Sequence, residues 1–117
     1  MLFVCYPKCT TCQRAKKFLD SRGAVYEDRH IKEQNPNQEE LRTWWQASGL
    51  PLKRFFNTSG LLYKSMNLKD RLPDMPEAEQ LRLLAADGML VKRPIVVDGE
   101  TVLVGFKPDE WEAALLK

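Results

Sequence analysis

The chain has 117 residues and is 44% hydrophobic, enough for one core but not for two of ordinary size, so one domain spanning 1–117 is expected. The 29% of charged residues argues for a soluble protein, and no apolar run comes near the roughly 20 residues that a membrane-spanning helix needs. The net charge is +2, with Lys and Arg scattered rather than blocked, which gives no electrostatic case for direct nucleic-acid contact.

Leu2-Phe3-Val4-Cys5-Tyr6 is a short apolar run of β-formers ended by Pro7, and it reads as a buried strand. From Thr11 to about Arg22 the pattern turns helical, with Ala15, Phe18 and Leu19 on one face and Gly23 just past the end. Ala24 to Ile31 reads as a second, partly exposed strand. Asn35-Pro36-Asn37 is a turn, and Asn37 with Glu40 has capping-box spacing ahead of a helix that turns Leu41, Trp44 and Trp45 inward and stops near Gly49-Leu50-Pro51. Asn57 to Gly60 is loop-like, and Leu61 to Leu72 reads as short helical pieces. Glu77 to Asp87 is a helix with Ala78, Leu81, Leu84 and Ala85 inward, ended by Gly88. Pro94-Ile95-Val96-Val97 is a strand, Asp98-Gly99-Glu100 is a hairpin turn, and Thr101 to Gly105 is the returning strand. Pro108 opens a last helix with Trp111, Ala114 and Leu115 on its inner face. This order, βαβ, a helical middle, then a hairpin and a terminal helix, predicts an α/β thioredoxin-like (glutaredoxin-like) fold. Its mixed four-stranded sheet carries helices on both faces, with an inserted helical region.

The chemistry concentrates in Tyr6-Pro7-Lys8-Cys9-Thr10-Thr11-Cys12, where two cysteines sit three apart between the first strand and the first helix. A sulfur there faces unpaired backbone N–H groups and the positive end of the helix dipole, which favours thiolate, the reactive form. Cys9 is the candidate nucleophile, with Lys8 and Arg14 adding positive charge nearby. Cys12, one helical turn on and on the same side, is placed to attack a bond formed on Cys9 and release it as an intramolecular disulfide. Cys5 lies mid-strand in an apolar run and reads as core packing.

Three cysteines are an odd number for a secreted disulfide framework, and Met1 to Val4 is too short for a signal-peptide core, so a cytoplasmic location is expected. A zinc site would need two more ligands; only Cys5 and His30, the sole histidine, remain, and His30 reads as a surface or strand-edge residue. No metal and no bound cofactor are expected. The small size and the lack of an apolar excess favour a monomer.

The ordered set Tyr6-Pro7-Lys8-Cys9-Thr10-Thr11-Cys12, Phe55-Phe56-Asn57-Thr58-Ser59-Gly60 and Lys92-Arg93-Pro94-Ile95-Val96-Val97 resembles the arsenate reductase (ArsC) family, which includes Spx-like proteins. The likeness runs on to Gly105-Phe106-Lys107-Pro108, essentially the whole chain. It implies a thioredoxin-like fold with an inserted helical region and Cys9 as the cysteine that attacks arsenate. It also implies that Arg93 holds oxyanion and thiolate through forked donors, and that Pro94 is the fold's cis proline. Thr10, Thr11, Asn57, Pro94 and Lys107 would form the substrate-binding surroundings. Two further arginines of the well-matched reductases are replaced by Asn57 and Lys107, which leaves one guanidinium and one ammonium for the anion and weakens the case for arsenate.

Two function classes follow from the resemblance. One is a thiol–disulfide oxidoreductase of the arsenate reductase type, re-reduced by glutathione, glutaredoxin or thioredoxin, with Cys12 as the resolving thiol. The other is an Spx-like regulator in which a Cys9–Cys12 disulfide switches binding to the RNA polymerase α subunit. A blander third is a family member kept for an unrelated interaction.

Overall fold

The computed structural model describes residues 1–115, and its centre is a four-stranded mixed sheet in the order β2-β1-β3-β4. Strand β1 (Leu2–Cys5) pairs in parallel with β2 (Glu27–His30) and antiparallel with β3 (Ile95–Asp98), which pairs antiparallel with β4 (Thr101–Val104). The parallel pair requires a crossover, and α1 (Thr10–Ser21) supplies it. The antiparallel pair needs only the two-residue turn Gly99-Glu100, where Gly99 takes the left-handed conformation at φ 60°. The fold is α/β and thioredoxin-like, as the element order implied.

Alternation along the strands sends side chains to two cores. On one face Phe3, Cys5 and Val96 meet Cys12, Ala15, Phe18 and Leu19 of α1 and Trp111 of α6 (Pro108–Leu115). The Trp111 indole is 1% exposed, and its Nε1–H donates to the Gly105 carbonyl at 3.0 Å, satisfying its only donor. On the other face Val4, Ile95, Val102 and Val104 pack beneath the inserted region. That region comprises α2 (Gln38–Ser48), α3 (Leu61–Ser65), α4 (Leu68–Arg71) and α5 (Glu77–Ala86), with short 3-10 turns at Leu52–Phe55, Leu72–Asp74 and Gly88–Leu90.

Local chemistry explains most of the boundaries. Asn37 caps α2 through the box foreseen: its side chain accepts from the Glu40 N–H at 2.8 Å, and the Glu40 carboxylate accepts from the Asn37 N–H at 3.1 Å. Gly49 ends α2 at φ 70°. Some details depart from the sequence pattern. Strand β2 is limited to Glu27–His30, because Gly23 and Ala24 still carry bonds that close the C-terminus of α1. Ala78 is exposed, so α5 buries only Leu81 and Leu84 fully. Gly88 does more than end α5: a Cβ there would run into the Ile31 carbonyl oxygen, so the chain can pass only as glycine.

Arg29 of β2 holds Glu40 of α2 with a two-pronged ion pair at 2.6 and 2.9 Å, tying the sheet edge to the inserted region. The hydrogen bonds from Arg29 hold the Glu40 carboxyl below its ordinary range.

Two predictions follow from these contacts. Gly88→Ala should cost about 1–3 kcal/mol, read as a lower urea midpoint with unchanged slope. A carboxyl whose folded pKa is depressed stabilises above its unfolded value and loses that contribution as pH falls through the folded one. The stability gap between wild type and Glu40→Gln should therefore be full near pH 7 and close as the solution is taken below the ordinary carboxyl value of 4.5. A gap that stays constant across that range would remove the ion pair from the account.

Candidate active site

Cys9 is the N-cap residue of α1, with extended backbone at φ −81° and ψ 124°. Its N–H donates to the Tyr6 carbonyl at 2.9 Å, closing the turn through Pro7 and Lys8, and its carbonyl accepts the first helical N–H from Gln13 at 3.0 Å. The N–H groups of the first helical turn have no helical acceptor, and the Cys9 side chain makes no capping bond. The sulfur is half-buried and faces a cleft of about 960 Å³.

Cys12 lies one turn further along and is 2% exposed. The Tyr6 N–H donates to its sulfur at 3.3 Å, which fixes the start of α1 against the end of β1. The Cys5 thiol is its other close neighbour. The Cys12 thiol is lowered to about 7, first by the hydrogen bond from Cys5, against the opposing effect of burial. The Tyr6 N–H, the Cys9 thiol and the charge of Arg93 assist. Cys5 is pushed far above the ordinary thiol range by its bond to Cys12, by burial and by the Asp28 carboxylate, which accepts from its S–H at 3.3 Å. Cys5 is therefore the core residue that the apolar run implied, with a polar contact that the run did not signal.

The cleft wall opposite Cys9 comes from two segments bonded to each other. The Asn57 N–H donates to the Leu90 carbonyl at 2.7 Å and the Lys92 N–H to the Phe55 carbonyl at 2.8 Å, around a bridge between Phe56 and Val91. Arg93 lines the cleft, with its guanidinium 5.3 Å from the Tyr6 ring centre and Nη1 3.5 Å from the Met89 carbonyl. Its Nε is buried without a partner. The Arg93–Pro94 peptide is cis, and Pro94 is buried behind the cleft.

Of the residues singled out in the sequence, Cys9, Thr11, Asn57, Arg93 and Lys107 line this one cleft. Thr10 is exposed and Pro94 buried, and neither side chain lines it. Cys12 sits behind Cys9 rather than in the opening. Arg14, Arg54 and Lys92 also line it, and none of its lining residues is acidic. The cationic surround is thus richer than the one guanidinium and one ammonium expected. Arg54 carried no signal in the sequence because only the turn at Leu52–Phe55 and the pairing of residues 55–57 with 90–92 bring it there.

His30 is half-buried at the sheet edge, its Nδ1 accepting from the N–H groups of Lys32 and Glu33 at 3.2 Å. Among the described residues no group of three or more His, Cys, Asp and Glu side chains is arranged to hold a metal ion. No helix among them is long and apolar enough to cross a membrane.

The thiol arrangement makes a direct prediction. In Cys9→Ser, which keeps a donor beside Cys12, the ultraviolet absorbance of thiolate should rise with a midpoint near 7 and vanish on further change to Cys12→Ser. A midpoint near the ordinary thiol value of about 8.5 would overturn the assignment.

Comparison with known proteins agrees with this geometry. The sequence matches the ArsC family over residues 5–114. It is 54% identical to the uncharacterized protein YusI of Bacillus subtilis over 112 residues, 96% of this chain and 95% of that one. It is 29% identical to the regulatory protein MgsR of the same organism, covering 94% and 86%. A solved structure from Bacteroides fragilis, described as ArsC family related, superposes with a TM-score of 0.93 at 55% identity, covering 96% and 94%. One from Streptococcus mutans, described as a possible arsenate reductase, gives 0.85 at 44% identity, covering 91% and 90%. A half-buried cysteine at a helix start, a second one turn behind it and a cis Arg93–Pro94 wall thus accompany a whole-length sequence match, and the chain belongs to the ArsC family.

Proposed function

We propose that the protein is a thiol–disulfide oxidoreductase that reduces a tetrahedral oxyanion of the arsenate type. The observation that carries this reading is the division of labour between two sulfurs. Cys9 opens onto a cleft lined by Arg14, Arg54, Lys92, Arg93 and Lys107, while Cys12 is buried just behind it, accepting from the Tyr6 N–H with its thiol lowered to about 7. A small anion entering the cleft meets cations on several sides and no carboxylate. Arg93, with an unpaired Nε beside the site, has donors to spare for an anion.

In this reading the Cys9 thiolate attacks arsenic, forming a sulfur–arsenic bond as an oxygen leaves as water. The Cys12 thiolate then attacks the Cys9 sulfur. A disulfide forms, the electron pair of the sulfur–arsenic bond stays on arsenic, and arsenic(V) departs as arsenic(III). Two electrons have passed from two thiols to the oxyanion. An external thiol reductant, glutathione with glutaredoxin or thioredoxin, returns them by disulfide exchange. Arg93 stabilises the charge on the attacking sulfur and on the oxygens.

The likeness to a regulatory protein supports a second reading, in which the same disulfide is the product of oxidation and alters binding to an RNA polymerase α subunit. The buried position of Cys12 serves this as well, since pairing with Cys9 would pull on the start of α1.

Arsenate turnover with both thiol systems supplied separates the two. The enzyme reading expects turnover that falls to background in Cys9→Ser and Cys12→Ser and drops about a hundredfold in Arg93→Ala. No turnover by wild type, together with capture of polymerase α subunit that changes with peroxide, would replace it by the switch.

A further inference from the structure

Where this molecule lays a cation over an aromatic ring away from the cleft, it also gives that cation a carboxylate. Lys16 lies over Tyr26 and holds Asp28, Arg22 lies over Phe18 and holds Glu112, and Arg29 lies over Trp44 and holds Glu40. Each of those charges is balanced on the spot. Two ring-held cations break the pattern, and both line the cleft with Cys9. The Arg14 guanidinium carbon stands 5.8 Å from the centre of the Phe106 ring, and that of Arg93 stands 5.3 Å from the centre of the Tyr6 ring. Among the described residues neither guanidinium has a carboxylate within ion-pair distance. Lys107, at the same cleft, faces Glu110 at 3.9 Å, so part of its charge is already balanced.

The choice of partner has a consequence. A carboxylate would hold a guanidinium in place, but it would take up the forked donors and cancel the field that draws an anion in. An aromatic ring attracts the cation through its quadrupole and carries no net charge. It takes the flat face of the guanidinium and leaves the N–H edge open. The donors agree with this. Among the described residues Arg14 makes no side-chain hydrogen bond. Arg93 has only the 3.5 Å contact from Nη1 to the Met89 carbonyl, and its Nε is buried without a partner.

The rings are themselves held. Phe106 follows Gly105, whose φ of 78° turns the chain out of β4, and its ring meets Phe18 edge-on at 5.6 Å and Trp111 at 5.0 Å. Tyr6 meets the His30 ring edge-on at 5.7 Å. Arg14 is exposed on α1, and without a platform its long side chain would sweep through solvent. Resting on Phe106, it has less freedom left to lose when an anion arrives.

We propose that Arg14 and Arg93 together hold the oxyanion beside Cys9, and that Phe106 and Tyr6 are positioning residues that aim the two guanidiniums without neutralising them. The inference rests on the reading of the cleft as a site for a tetrahedral oxyanion. Arg14 comes from α1, the side of Cys9, and Arg93 comes from the facing wall, so the anion is gripped from both. Arg14 supplies a second planar fork where Asn57 and Lys107 offer none. Tyr6 is not among the residues that line the cleft, so its effect passes through Arg93.

The test reads occupancy of the cleft by an anion, apart from turnover. Inorganic phosphate, a tetrahedral anion that thiols do not reduce, is titrated at constant ionic strength against alkylation of Cys9 by the neutral reagent iodoacetamide. The mass of the Cys9 peptide reports the extent of reaction. The half-protecting concentration is independent of how fast the free thiolate reacts. It should rise about tenfold in Arg14→Ala, at an exposed position where the fold is undisturbed, and about as much in Phe106→Leu and Tyr6→Leu. Phe106→Tyr and Tyr6→Phe, which keep the rings, should stay within about twofold of wild type. Phe106→Leu added to Arg14→Ala, and Tyr6→Leu added to Arg93→Ala, should cost nothing further, because each ring acts through its arginine. Unchanged protection in Arg14→Ala, full additivity in the double variants, or no protection of the wild type would each overturn the proposal. Protection with this pattern of variants but no arsenate turnover would instead sink the reductase reading and leave the anion clamp standing.

Discussion

The hydrogen bond from the Tyr6 N–H to the Cys12 sulfur is the contact on which the site's arrangement depends. It joins the last residues of the central strand to the first turn of α1. Because Pro7 and Lys8 close a tight turn between them, it also fixes where the Cys9 sulfur emerges. A serine or alanine at position 12 would fit the helix, but neither would give a large polarisable acceptor reaching back to the strand. The redox pair and the local fold therefore share one atom. A sulfur so held gains donors without gaining water, which is how a buried group can favour its charged form.

That contact also explains why the two cysteines differ although they sit three residues apart on one helix start. The N-cap position leaves Cys9 outside the first turn and half open to the cleft. The third helical position turns Cys12 back onto the sheet, among Phe3, Ala15 and Leu19. Reach and concealment follow from helix geometry alone.

Much of this was legible in the residues. The capping box of Asn37 and Glu40, the Asp98-Gly99 hairpin and the periodicity of Ala15, Phe18 and Leu19 are local signals, and local signals survive folding. The pairing of Cys9 with Arg93 was reached only through family resemblance, since 84 positions separate them and no periodicity links the two. Arg54 and the carboxylate of Asp28 on Cys5 were not legible at all. Each depends on which strands neighbour one another and on how the inserted region folds back, and these are properties of topology rather than of any window of sequence. Ala78 shows the reverse error: a small apolar residue in phase with a helical face stays exposed where no neighbour reaches it.

Gly88, pressed against the Ile31 carbonyl, has a meaning for how the cleft receives a guest. The segment that follows is anchored at its start by that contact, then bonded through Leu90 and Lys92 to residues 57 and 55, and then enters the central sheet at Ile95. Backbone ties at each step leave the wall bearing Arg93 little freedom to swing. With that wall tied down, selectivity at the opening comes from fit and from the reach of the long side chains that line it, the basic ones foremost.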